Sequence, residues 1–221
     1  MKQVFLTQQH SPRRLVFFAG WGADTTPFRK YHPAACDYLL CYDYRTLDFD
    51  ATAFASYGEI HVVGWSMGVW AASQALSDKP WPVKSSIAIN GTPYPIDEQR
   101  GIPPEIYQGT LKGLTGASLH KFLRRMCADA AAFRSFLEVT PRRPLDELRE
   151  ELVCIERLYS SLPSASFRWT QAVTGENDRI IPPDNQLRAW QEQQTPVRLT
   201  KDAHYQESTF QHYLQDRWTR L

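Results

Sequence analysis

Short apolar runs punctuate this chain at intervals that suit buried β-strands. They fall at residues 3–7, 15–19, 38–42, 60–63, 86–90, 169–174 and 197–200. Each is too short for a helix and is bounded by turn-forming residues. Helix-compatible segments lie near 67–78, 184–194 and 206–219. Strands that alternate with helices predict a mostly parallel central sheet with helices on both faces. In such sheets ligands bind beyond the carboxyl ends of the strands.

The alternation lapses between 92 and 165. This segment opens with Thr92-Pro93-Tyr94-Pro95 and contains no convincing strand. After Ser118, read as an N-cap, Leu119, Phe122, Leu123, Met126, Phe133 and Leu137 recur at helical spacing. A second helix after Pro144 carries Leu145, Leu148, Leu152, Ile155 and Tyr159. Inserted between two sheet strands, these proline-bounded helices are expected to form a lid. The chain would then divide into a core, 1–91 with 166–221, and a helical lid, 92–165.

The pentapeptide Gly64-Trp65-Ser66-Met67-Gly68 gives this scaffold a chemistry. It follows the apolar run 60–63 and precedes the helix-favouring stretch from Val69, and a strand, a sharp turn and a helix are the context that G-x-S-x-G requires. The turn lifts the Ser66 hydroxyl above the sheet, and flanking side chains would collide there, so both neighbours are glycine.

A serine nucleophile needs a base and a carboxylate that orients the base. Of the six histidines, His204 alone follows the last strand and precedes the last helix, in Asp202-Ala203-His204-Tyr205. Asp178 lies in the loop Gly175-Glu176-Asn177-Asp178 after the strand at 169–174, with Glu176, Asp184 and Asp202 as competing carboxylates. Asp184 reads better as a helix cap, and Asp202 lies too near His204 to reach its far nitrogen. The order Ser66, Asp178, His204 is that of the α/β-hydrolase fold and of no other serine-triad scaffold considered. Oxyanion donors are expected from the amides of Met67 and of Trp21, the latter in the glycine-bounded loop Phe17-Phe18-Ala19-Gly20-Trp21-Gly22.

That loop, together with Gly64-Trp65-Ser66-Met67-Gly68 in so compact a chain, resembles the BioG family of pimeloyl-[acyl-carrier protein] methyl ester esterases of biotin synthesis. The likeness runs from the first strand to the histidine loop, is specific at the Gly-Trp-Gly loop and the elbow, and is weak across the lid. Ala19 stands where many α/β-hydrolases place a histidine, which suits this family. The resemblance implies Ser66 as nucleophile, His204 as base, Asp178 as its orienter, and a pimeloyl methyl ester on an acyl-carrier protein as substrate. Methanol and the free carboxylate would be the products, with no metal or organic cofactor.

An acidic carrier protein calls for basic docking residues. The segment 92–165 balances its acids and bases, but Lys121, Arg124 and Arg125 share one helical face, and Arg142 and Arg143 form a second cluster. Rival readings are a thioesterase, a general carboxylesterase or a lyase of the same fold, and a non-catalytic binding protein.

Composition narrows the setting. A length of 221 residues suits one well-buried domain with an insertion, and a formal net charge of +1 gives no reason to expect nucleic acid or a membrane surface as partner. Cys36, Cys41, Cys127 and Cys154 show neither CxxC pairing nor histidines at metal-ligand spacing. Free thiols in a reducing cytoplasm are therefore expected, with no metal site.

Overall fold

The structure is a computed structural model that describes residues 1–54, 56–78 and 80–218. Seven strands, β1 (Lys2–Thr7), β2 (Arg13–Phe18), β3 (Asp37–Tyr42), β4 (Glu59–Trp65), β5 (Val83–Ile89), β6 (Gln171–Gly175) and β7 (Val197–Thr200), form one sheet in the order β1-β3-β2-β4-β5-β6-β7. β1 runs antiparallel to β3, and the other pairs are parallel. Seven α-helices surround the sheet: α1 (Met67–Ala75), α2 (Pro104–Lys112), α3 (Gly116–Met126), α4 (Ala130–Glu138), α5 (Leu145–Ser161), α6 (Pro183–Glu192) and α7 (Glu207–Leu214). The predicted last helix extended to Thr219, which lies outside the described residues.

The period-2 geometry of a strand divides each apolar run between two cores. Val16, Phe18, Val62 and Ala88 face a layer built from Trp70 of α1, Ile155 of α5 and Trp190 of α6. Leu15, Phe17, Val63 and Ile87 face the other, which holds Phe133 and Phe136 of α4 with Phe210 and Leu214 of α7. Strands buried on both faces have no polar side to show, which is why β2 and β4 read as continuous apolar runs. Burial of each such side chain contributes about 1.5–3 kcal/mol. The four cysteines are buried and form no disulfide. Burial pushes the thiols of Cys36 and Cys127 up to about 11.

The segment between β5 and β6 departs in detail from the sequence-based expectation. It holds four helices, and α2 escaped the pattern. Ser118 is not the N-cap of α3: Thr115 caps it, and Ser118 sits one turn in, where its hydroxyl accepts from the Thr115 amide while the Thr115 hydroxyl accepts from the Ser118 amide. The apolar series from Leu119 to Leu137 is split between two helices. α3 stops at Cys127, and α4 restarts with the Asp129 carboxylate capping the Ala132 amide. α6 likewise has Pro182 as its N-cap and leaves Asp184 inside the first turn. Among the described residues, no helix is long and apolar enough to cross a membrane.

Candidate active site

β4 delivers its last residue to the centre of the carboxyl edge of the sheet, and the chain reverses there into α1. Ser66 occupies the corner with φ 56° and ψ −126°, a region that costs a non-glycine residue about 1–3 kcal/mol. The close approach of β2 and α1 makes that corner possible: a Cβ on Gly68 would lie 2.0 Å from the carbonyl oxygen of Phe18. On the opposite flank, a Cβ on Gly64 would lie 2.7 Å from the Trp169 ring. Ser66 is the N-cap of α1, yet its hydroxyl makes no capping bond.

That hydroxyl turns instead to the loop after β7. Ser66 Oγ lies 3.0 Å from His204 Nε2, and His204 Nδ1 lies 2.8 Å from Asp178 Oδ2. A carboxylate can only accept, so Nδ1 carries the proton and Nε2 is left as the acceptor for the serine hydroxyl. All three residues are buried, Ser66 at 7% exposure being the most open. Asp178 is fixed by further donors: the amides of Ile180 (2.8 Å) and Ile181 (3.1 Å) to Oδ1, and Gln186 Nε2 (2.9 Å) to Oδ2. The competing carboxylates are engaged elsewhere. Glu176 pairs with Lys201, and Asp202 accepts from Thr209. His61, carried on β4, meets Ser85 and Glu59.

Sequence reasoning missed the residues that place the histidine loop. Asn90, at the tip of β5, donates through Nδ2 to the carbonyls of Ala203 (2.9 Å) and His204 (3.0 Å), while its Oδ1 accepts from the Gly175 amide (2.8 Å). Trp65 Nε1 donates to the same His204 carbonyl at 3.0 Å. The available signal was an asparagine closing an apolar strand run, immediately before a glycine. The segment between β5 and β6 also holds this loop, since the Tyr205 amide donates to the Met126 carbonyl at the end of α3.

Ser66 opens on a mainly apolar cleft of about 590 Å³, a volume that includes open solvent. Trp21 and Met67 line it beside Ser66 and His204, with Ile102, Tyr107, Phe122 and Leu152 among its walls and Arg125 and Arg179 as its cations. The Ala23 amide donates to the Gly20 carbonyl, and Gly22 has φ 75°, so the loop carrying Trp21 is a tight turn. The N-terminus of α1 at Met67 supplies the positive end of a helix dipole next to Ser66.

The expected docking residues separate into two sets. Lys121, Arg124 and Arg125 are exposed on α3, as is Arg142 in the loop before α5. Arg143 is a correction. Its side chain is only 5% exposed, and it pairs with Asp43 (3.1 Å), Glu147 (3.4 Å) and Glu151 (2.6 Å). A guanidinium buried this deeply among carboxylates is not presented to a partner protein.

A mostly parallel seven-stranded sheet, with a strand–serine–helix elbow at its centre and acid and histidine loops at its carboxyl edge, defines an α/β-hydrolase fold. The chain belongs to the family described as Pimeloyl-ACP methyl esterase BioG, which matches residues 1–215. Its fold is similar to the crystal structure of BioG from Haemophilus influenzae, at 35% identity and TM-score 0.86, covering 96% of this chain and 98% of that one. A lipase-esterase related protein from Clostridium acetobutylicum shares the fold at TM-score 0.62 and 13% identity, over 92% of this chain and 91% of the other.

A curated relative from Bacteroides fragilis (strain 638R) is 56% identical over 193 residues, 87% of this chain, and is named Malonyl-[acyl-carrier protein] O-methyltransferase. The chain spans 39% of that relative's length. That name overturns the function expected from the sequence, hydrolysis of the pimeloyl-[acyl-carrier protein] methyl ester. An O-methyltransferase puts a methyl group on oxygen, whereas the expectation was removal of the methyl group from pimeloyl-[acyl-carrier protein] methyl ester by hydrolysis. That substrate assignment is withdrawn.

Proposed function

We propose that this chain is a serine hydrolase of carboxylic esters, with Ser66 as nucleophile, His204 as general base and then acid, and Asp178 as the group that orients His204. The observation that carries this reading is the unbroken buried chain of contacts from Ser66 Oγ to His204 and on to Asp178, at 3.0 and 2.8 Å. Ser66 Oγ attacks the ester carbonyl carbon as its proton passes to His204 Nε2. The oxygen that becomes negative takes hydrogen bonds from the amides of Trp21 and Met67. The bond to the leaving alcohol then breaks, and the alcohol departs with the proton held by His204. Water attacks the acyl-enzyme, gives a proton to His204, and the acid leaves as Ser66 recovers its own. The cleft walls are apolar, so the acyl part of the substrate is an apolar chain.

The family description names an acyl-carrier protein, and Lys121 and Arg124 of α3, with Arg125 at the cleft, are proposed as its docking cations. The core reading is tested with a fluorophosphonate probe and p-nitrophenyl acyl esters. Wild type should be labelled once and turn over the esters, and Ser66→Ala should lose labelling and about 10⁴-fold or more of kcat. Labelling or turnover that survives in Ser66→Ala refutes the reading.

A further inference from the structure

The loop that would hold the oxyanion is short, bounded by two glycines, and tight at Gly22. Such a segment has little conformational preference of its own and must be fixed from outside. Consecutive anchors do this. The Tyr44 hydroxyl donates to the Ala19 carbonyl (2.6 Å), Trp21 Nε1 donates to the Leu148 carbonyl (2.9 Å), and the Gly22 amide donates to Glu151 Oε2 (3.3 Å). Leu148 and Glu151 lie one turn apart on the same face of α5.

Glu151 is itself fully buried. Besides the Gly22 amide it accepts from the Tyr44 amide (2.9 Å) at Oε1 and from Arg143 Nη1 (2.6 Å) at Oε2. Three donors converge on it; burial raises its carboxyl above the ordinary range, and the charge of Arg143 and the bond from the Tyr44 amide act against that rise. Arg143 ties the assembly to Asp43 at the end of β3. A buried ion pair is weak evidence for stability, since well-packed apolar residues of the same volume do as well. Its placement beside Trp21, bonded to the Gly22 amide and linked through Tyr44 to the Ala19 carbonyl, calls for another explanation.

We propose that Glu151, held by Arg143, is a positioning residue for the oxyanion hole: with the Leu148 carbonyl it clamps the Gly20-Trp21-Gly22 loop to α5, so that the Trp21 amide is aimed before substrate arrives. The inference rests on the reading of Ser66 as an ester-cleaving nucleophile. A clamp of this kind acts on the tetrahedral state and leaves binding of the planar ester alone. Removing it lowers kcat and leaves KM in place. It also weakens a trifluoromethyl ketone, whose carbonyl carbon bonds to Ser66 Oγ while the serine proton moves to His204 and the former carbonyl oxygen becomes the oxyanion.

Glu151→Gln keeps the shape but can accept on one side only, so one of the Tyr44 and Gly22 amides loses its partner. Trp21→Phe removes the indole donor to Leu148 and, with its smaller ring, part of the contact with Phe122 and of the cleft wall. Both are compared with wild type and Ser66→Ala on a p-nitrophenyl acyl ester, with melting temperature recorded. The expected result for each is a kcat at least about tenfold lower, KM within about twofold, and a ketone Ki raised by the same factor as kcat falls. If Glu151→Gln does not fold, Trp21→Phe decides alone. A folded variant whose kcat and ketone Ki stay within about twofold of wild type overturns the clamp, whatever its melting temperature. Wild type without turnover, or Ser66→Ala equal to wild type, overturns the esterase reading and the clamp with it. An active wild type with unchanged clamp variants overturns the clamp only.

Discussion

Asn90 offers the sharpest test of how the histidine loop is held. It sits at φ 44°, a left-handed conformation that asparagine adopts at less cost than alanine, and its side chain serves three backbone groups. Replacing it by glycine removes the side chain and leaves the backbone relaxed. The His204 carbonyl keeps its bond from Trp65, so the Gly175 amide and the Ala203 carbonyl bear the loss. At about 1–3 kcal/mol per orphaned buried group, Asn90→Gly should cost about 3 kcal/mol. Asn90→Ala loses the same bonds and adds about 1 kcal/mol or more of backbone strain, so it should be the less stable of the two. That inverts the usual order of alanine over glycine. Urea unfolding with a common m-value measures both, and the melting temperature should fall by roughly 10 °C. An Asn90→Ala protein within 1 kcal/mol of wild type, or one more stable than Asn90→Gly, would falsify this account of the loop.

Other outcomes follow from separate parts of the molecule. Burial pushes the Asp43 carboxyl up, but hydrogen bonds from Arg45 and Lys2 and the charge of Arg143 hold it at about 2, below its ordinary 3.8. Its stabilisation is therefore complete above about pH 4 and is lost as pH falls through about 2; roughly 2 kcal/mol should vanish across that window in wild type and not in Asp43→Asn, as read by denaturant titrations at each pH. Gly109 is exposed inside α2 with nothing within 4 Å of an added Cβ, so Gly109→Ala should raise stability by about 0.5–1 kcal/mol in thermal unfolding. Gly68→Ala, by contrast, should yield no correctly folded protein by near-ultraviolet circular dichroism, because the added carbon meets the Phe18 carbonyl at 2.0 Å. Reversing Lys121 and Arg124 to Glu should raise KM for a carrier-linked ester several-fold and spare a p-nitrophenyl ester; equal effects on both would remove the docking role from α3.

The sheet and the elbow were legible because their signals are local. All seven strands announce themselves as apolar runs, and Gly64-Trp65-Ser66-Met67-Gly68 needs only its immediate neighbours to be read. Asp178 and His204 were reachable because chain order and strand ends restrict the choice. The insertion was less open to reading. α2 buries only Tyr107 and Leu111 and starts between consecutive prolines, so it presents almost no apolar stripe. Thr115 and Ser118 both suit a cap, and only the reciprocal pair of bonds between them decides which is which. Arg143 looked like a surface cation beside Arg142, and its partner Asp43 is a hundred residues away in the chain. Asn90 was missed for a related reason, since it serves the loops after β6 and β7 from the tip of β5, while Gln186 lies close to Asp178 in the chain but reads as an ordinary helix residue.

The depth at which α5 is seated bears on how this scaffold can be altered. Leu152 and Ile155 belong to the same buried cluster as Val62 and Trp70. Exchanging residues 92–165 for the corresponding stretch of another hydrolase, or splicing them out with a short linker, would therefore strip side chains from the interior of the sheet layer itself. Altered selectivity is better sought by single changes at cleft walls such as Ile102 and Phe122 than by transplanting the insertion whole.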